Sequence, residues 1–156
     1  MLNITIPGGK VLHLNHLLLD YNGTLAADGT LLPGVAERLL ALAKRVTVQV
    51  ITADTHGTVA AQLASLPCAL QIIGAGAQDQ AKAALVSSLG RETVVAIGNG
   101  RNDCLMLKEA VLGIAVVQAE GASPLALLAA DVVCRDITSA LDLLTRPARL
   151  QATLRN

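Results

Sequence analysis

LLLDYNGTLAADG, residues 17–29, is an apolar run that ends on a carboxylate, Asp20, and breaks at once into Asn22-Gly23-Thr24. Asn-Gly between two apolar stretches is a strong hairpin signal. An acid closing a strand that reads as buried is less expected, because an unpaired carboxylate is costly away from water. The stretch is therefore either a tight turn or a loop belonging to a site, and the rest of the chain decides between them.

Around this stretch, strand and helix patterns alternate. Residues 2–6 and 10–14 read as two short strands about the turn Pro7-Gly8-Gly9, and residues 16–20 as the next strand. Residues 25–34 read as a loop. Val35, Leu39, Leu40 and Leu42 then fall at helical spacing within 34–44, ahead of the β-branched strand VTVQVI at 46–51. Helices expected near 57–66, 79–89, 102–111, 123–129 and 137–154 alternate with strands at 69–73, 93–97, 113–117 and 131–134. Such alternation predicts βαβ units: a three-layer α/β sandwich with a mainly parallel, Rossmann-like sheet. The expected organisation is one domain over 1–156, with an N-terminal β-hairpin (1–15), a core (16–135) and a C-terminal helix (136–156).

Composition narrows the function. Hydrophobic residues make up 53% of the chain and charged residues 15%, while Tyr21 is the single aromatic, so the core is aliphatic. With so few charges to cover its surface, the chain is expected to self-associate. Twelve basic and twelve acidic residues cancel, and no basic run or aromatic platform suggests a nucleic-acid partner. No apolar span reaches the roughly 18 residues of a transmembrane helix, so no membrane insertion is expected. Cys68, Cys104 and Cys134 are odd in number and widely spaced, which favours reduced thiols in a cytoplasmic protein.

Ligands of open α/β sheets bind outside the C-terminal strand ends. Four features fall there: Asp20 after the first core strand, Thr52 after the second, Lys82 in a helix, and GNGRND (98–103) after the strand VVAI. Singly, each has an ordinary reading as a cap, a turn or a solvated side chain. Together they describe a phosphoryl site with a divalent cation. Carboxylate and amide oxygens suit Mg²⁺, Thr and Lys neutralise phosphate oxygens, and Asp is a covalent nucleophile.

In that order and spacing the residues resemble the haloacid dehalogenase superfamily of phosphatases and phosphotransferases. Its first motif matches Asp20-Tyr21-Asn22-Gly23-Thr24-Leu25, its second Thr52, its third Lys82, and its fourth Gly98-Asn99-Gly100-Arg101-Asn102-Asp103. The form is similar to single-domain soluble proteins related to the phosphorylation domain of P-type ATPases. The resemblance implies Asp20 as the nucleophile and Asn22, Gly23, Thr52, Ala53 and Lys82 around the phosphate. It implies Mg²⁺ held by Asp20, the Asn22 carbonyl, Asn99 and Asp103. It also implies no cap domain, because too few residues separate Asp20, Thr52 and Lys82. The open site would admit a small or macromolecular phosphorylated substrate, or be roofed by a neighbouring subunit, with a tetramer favoured.

Two positions depart from the phosphatase pattern. Asn22 replaces the Asp that acts as general acid and base, help worth about 10²–10⁴-fold. Asn99 replaces an acidic metal ligand and lowers the charge available to a cation. The implied activity is a slow Mg²⁺-dependent phosphohydrolase working through an aspartyl phosphate. The alternative is a weak or inactive regulatory phosphate-binding module. Both departures are Asn-Gly pairs, so deamidation at 22 or 99 would partly restore the phosphatase pattern. A receiver domain needs an acidic pair at its first strand, and nothing acidic precedes Asp20. GAGAQD (74–79) lacks the third glycine of a dinucleotide fingerprint. His13, His16 and His56 have no metal spacing, although His56 follows Thr52 closely enough to border the site. Arg101 is placed either against substrate or on the solvated surface.

Overall fold

A computed structural model describes residues 1–54 and 57–155. After the hairpin β1 (Leu2–Thr5) and β2 (Val11–Leu14), the core begins with β3 (His16–Leu19). A two-residue hairpin follows, β4 (Ala26–Ala27) and β5 (Thr30–Leu31), then α1 (Val35–Leu42) and β6 (Thr47–Thr52). Next come α2 (Val59–Leu63), β7 (Cys68–Ile72), α3 (Gln78–Leu89), β8 (Val94–Gly98), α4 (Cys104–Glu109) and β9 (Leu112–Val116). The chain closes with α5 (Pro124–Ala129), β10 (Val132–Cys134), α6 (Ile137–Thr145) and α7 (Pro147–Leu154).

Six strands form one parallel sheet in the order β10-β9-β8-β3-β6-β7. The central strands β3, β8 and β9 are covered on both faces and read as continuous apolar runs, while the edge strands β7 and β10 keep exposed positions. Successive side chains point to opposite faces. Leu17 and Leu19 enter the core shared with Leu39 of α1, Leu141 of α6 and Leu150 of α7. Leu18 enters the other, with Val86 of α3 and Met106 of α4. The three-layer sandwich is thus observed. The β1–β2 hairpin is a separate sheet whose Leu2, Ile4, Leu12 and Leu14 join the first core.

From β3 the chain winds outward through β6 and β7, then returns to place β8 on the other flank of β3. The strand order reverses between β3 and β8, which is the crevice where such sheets bind ligands. Leu19, at the end of β3, pairs with Val50 of β6 and Ile97 of β8.

Two expectations are corrected. The C-terminal helix of 136–156 is two helices, α6 and α7, because Arg146 leaves the helical region (φ −126°, ψ 72°) and Pro147 can only begin a new helix. The loop at 25–34 contains the β4–β5 hairpin. The described residues hold this hairpin, α1 and β6 between Asp20 and Thr52, and α2, β7 and the start of α3 between Thr52 and Lys82, with no cap domain among them.

Candidate active site

Asp20 follows β3 directly, with its amide donating to the Ile97 carbonyl at 3.0 Å, so its backbone is set by the neighbouring strand β8. The loop beyond it coils instead of reversing into a hairpin. The amides of Thr24, Leu25 and Ala26 all converge on the Tyr21 carbonyl, at 2.8–3.1 Å. Gly23 adopts φ 75°, and a Cβ there would run into the Asn99 carboxamide. Asn22-Gly23 is thus part of a packed loop against the motif that follows β8.

Lys82 lies in the second turn of α3, almost fully buried. Its ammonium donates to Asp20 Oδ1 at 2.7 Å and to Asp103 Oδ1 at 2.7 Å. The second oxygen of Asp103 accepts the amides of Asn99 (3.0 Å) and Gly100 (2.8 Å), and so shapes the 98–103 loop. Gly98 is required there, since a Cβ would come within 2.5 Å of Asp103. Thr24 Oγ1 stands 3.1 Å from both Asp20 Oδ2 and Asn99 Oδ1. Its one proton serves one of them at a time.

Two buried carboxylates share one ammonium, so the cluster carries excess negative charge. Burial, reinforced by the Asp103 charge, pushes the Asp20 carboxyl up to about 7 against the pull of Lys82 and Thr24. Burial alone pulls the Lys82 ammonium down, yet Asp20 and Asp103 outweigh it and its pKa is raised.

The donor set fits a hard cation. Among the described residues no group of three or more His, Cys, Asp or Glu is placed to hold a metal. The site instead combines the oxygens of Asp20 and Asp103 with the Asn99 amide oxygen, all-oxygen chemistry that suits Mg²⁺ and not a soft metal. The negative excess supplies the electrostatic reason for a cation to enter.

The structure brings Asp20, Lys82, Asn99 and Asp103 into direct contact or one bond away. Thr52, fully buried, ends β6 beside β3, and its hydroxyl accepts the Asp54 amide at 3.1 Å, with half-buried Ala53 between them. Asn22 bridges to Ala26. The Gly23 amide, expected at a phosphate, donates to the Ala26 carbonyl at 2.8 Å. Arg101 is exposed, His13 hydrogen-bonds Asn3 in the hairpin, and His16 begins β3 at the end of the sheet opposite Asp20. His56 lies outside the described residues.

Two residues went unrecognised in the sequence. Thr24 was inside the first motif, and its hydroxyl was the available signal. Gln118, beyond β9, donates to the carbonyls of Gly23 (2.9 Å) and Thr24 (2.6 Å) and accepts the Ile137 amide (2.9 Å). It ties the loop after Asp20 to the start of α6, and no sequence signal marked it.

The sequence profile of haloacid dehalogenase-like hydrolases matches residues 80–139, which include Lys82 and the 98–103 loop. An uncharacterised protein of Methanocaldococcus jannaschii is 45% identical over 85 residues, 52% of this chain and 91% of that protein. The chain belongs to the haloacid dehalogenase superfamily. Solved structures agree at the level of fold. A 3-deoxy-D-manno-octulosonate 8-phosphate phosphatase from Moraxella catarrhalis, in complex with magnesium, phosphate and KDO, superposes with a TM-score of 0.72 at 17% identity. That match covers 90% of this haloacid dehalogenase-like chain and 94% of the phosphatase. The cobalt-bound deoxy-D-mannose-octulosonate 8-phosphate phosphatase from Haemophilus influenzae gives a TM-score of 0.72 at 14% identity, covering 92% and 94%. The chain therefore has the fold of this superfamily. None of its described helices is long and apolar enough to cross a membrane.

Proposed function

We propose that this chain is a Mg²⁺-dependent phosphohydrolase that transfers a phosphoryl group to Asp20. The observation that carries the reading is Lys82 Nζ at 2.7 Å from both Asp20 and Asp103. A buried ammonium there neutralises a nucleophilic carboxylate and the phosphate it attacks. An Asp20 carboxylate oxygen bonds to phosphorus as the ester oxygen leaves. The leaving oxygen takes its proton from water, because Asn22 has none to give. Water then attacks the aspartyl phosphate, releasing phosphate and restoring Asp20. Thr52 and Ala53 steady the phosphate oxygens. Mg²⁺, held by Asp20, the Asn22 carbonyl and Asn99 and influenced by Asp103, supplies positive charge when bound. The metal-bound neighbours support a divalent cation. Without a general acid at 22, turnover is slow.

The substrate is a phosphate ester admitted to an open site, and a phosphorylated sugar is one small-molecule class that the neighbours support. We further propose a homo-oligomer, with a tetramer favoured, in the cytoplasm. Exposed Leu105, Leu125 and Leu128 on α4 and α5 support association, and three free thiols support a reducing compartment. A sharp monomer peak in light scattering would count against the oligomer.

A second reading, a regulatory phosphate-binding module related to the P-type ATPase phosphorylation domain, is favoured by Asn22 and Asn99. The deciding test is phosphate release from para-nitrophenyl phosphate with and without Mg²⁺, with Asp20→Asn as the blank. Mg²⁺-dependent release lost in the variant supports the enzyme. Release no faster than the variant's favours the module.

A further inference from the structure

We propose that Asn99 is a positioning residue, and that this chain's site is built for an amide at 99, where an acid cannot take its place. The inference uses the site proposed above only to compare position 99 with an acidic metal ligand.

The Asn99 side chain is held from three sides. Its Nδ2 donates to the Gly121 carbonyl at 3.0 Å, its Oδ1 lies 3.1 Å from the Thr24 hydroxyl, and Gly23 leaves no space beyond it. These contacts fix which way the amide points. Turning it over would set two acceptor oxygens against each other at Gly121. Asn99 also anchors through its backbone, accepting the Ser123 amide at 2.8 Å and donating to Asp103.

Gly121 and Ser123 belong to the connection between β9 and α5, the segment that also carries Gln118. Within it the Gly121 amide donates to the Gln118 carbonyl at 2.7 Å, and Gln118 in turn grips Gly23 and Thr24. The connection, the nucleophile loop and the loop after β8 thus form one hydrogen-bonded ring. The Asn99 side-chain amide crosses from the cation donors to the connection beside the backbone bond from Ser123 to Asn99. A carboxylate has no proton for Gly121, so Asn99→Asp would hold two acceptors about 3 Å apart in a nearly buried place. The charge such a variant adds comes with the loss of that side-chain link to Gly121. Asn99 is therefore a matched part of this site and does not act as a neutral stand-in for an acid.

The test is residue-by-residue hydrogen exchange on the metal-free protein, followed by Mg²⁺ titration read on the same amide signals. In both Asn99→Asp and Asn99→Ala, the Gly121 and Ser123 amides should exchange at least about tenfold faster, with Val50 in β6 unchanged. Asn99→Asp should bind Mg²⁺ no tighter than the natural chain. A role in charge alone would make that affinity rise, whatever the fold does. Exchange accelerated less than tenfold in either folded variant, or tighter Mg²⁺ binding by Asn99→Asp, overturns the proposal. Neither readout needs turnover, so an inactive enzyme leaves the test intact.

Discussion

Gln118 donates its side-chain amide to the Thr24 carbonyl at 2.6 Å, joining residues 94 positions apart in the chain. The same side chain holds Gly23 and the first amide of α6. Replacing it by Leu leaves these backbone groups half-buried and unsatisfied, which costs about 1–3 kcal/mol. The expected outcome of Gln118→Leu is a thermal midpoint lower by about 2–8 °C. Gln118→Glu keeps the acceptor for Ile137 but loses the donor, and should fare no better. An unchanged melting curve for both would remove the structural role assigned to Gln118.

Asp20→Asn should stabilise the metal-free protein while ending phosphate release. The Asp20 carboxyl moves from an ordinary 3.8 to about 7 in the folded chain, mainly through burial and the Asp103 charge. For an acid shifted upward, its stability contribution is fully present below the unfolded value and is lost as pH rises through the folded one. The loss runs between about pH 4 and 7, at no more than about 1.4 kcal/mol per pH unit. The gain in midpoint for Asp20→Asn should hence be larger near pH 8 than near pH 5. Equal gains at both pH values would contradict the cited shift.

Lys82→Met acts in the opposite sense. It leaves Asp20 and Asp103 buried without their shared cation, and breaking a buried pair costs about 3–5 kcal/mol. Chemical denaturation should show that loss, with part of it recovered in Lys82→Met combined with Asp20→Asn. The diagnostic result is a recovery larger than the gain Asp20→Asn gives in the natural chain, because lost packing of the lysine stem alone would leave the two effects additive.

Divalent cation binding should release protons. Near pH 6 much of Asp20 is protonated, and only its carboxylate form is a ligand. Apparent Mg²⁺ affinity should rise with pH toward about 7 and then level off. Calorimetry in buffers of different ionisation enthalpy reads the proton count directly, and zero release near pH 6 would exclude Asp20 as a ligand.

Deamidation at the Asn-Gly pairs requires the following glycine nitrogen to attack the asparagine side chain. In the folded chain the Gly23 amide donates to Ala26 and the Gly100 amide donates to Asp103, at 2.8 Å each. Peptide mass spectrometry of native protein should therefore find Asn intact at 22 and 99, with conversion appearing only after incubation unfolded. Isoaspartate at either site in freshly folded protein would be the contrary result.

Much of this architecture was legible in the chain. Runs such as Leu17-Leu18-Leu19 and Val94 to Ile97 are apolar at every position because helices cover both sheet faces, and that pattern announces parallel strands. Asp20, Thr52 and the 98–103 loop were recognisable as polar residues that end or follow apolar strands, and Lys82 by its order between them. The break at Pro147 was visible in principle, since proline lacks the amide that a continuous helix requires. The partner of the Gly23 amide, the Ala26 carbonyl, was not legible, because a backbone donor carries no residue-specific mark and its partner depends on how the loop coils.

By itself the sequence determined the α/β alternation, the polar residues at the strand ends and the absence of an acid at 22 and 99. Those properties are local, set by side-chain type and by the period of apolar residues. Only the tertiary structure decided that Lys82 bridges Asp20 and Asp103, that Thr24 serves both Asp20 and Asn99, and that Gln118 and Gly121 close a ring around them. Each of these contacts except Thr24 to Asp20 joins residues 21 to 94 positions apart. Such distances are closed by the reversal of strand order between β3 and β8, and no local preference of the chain encodes them.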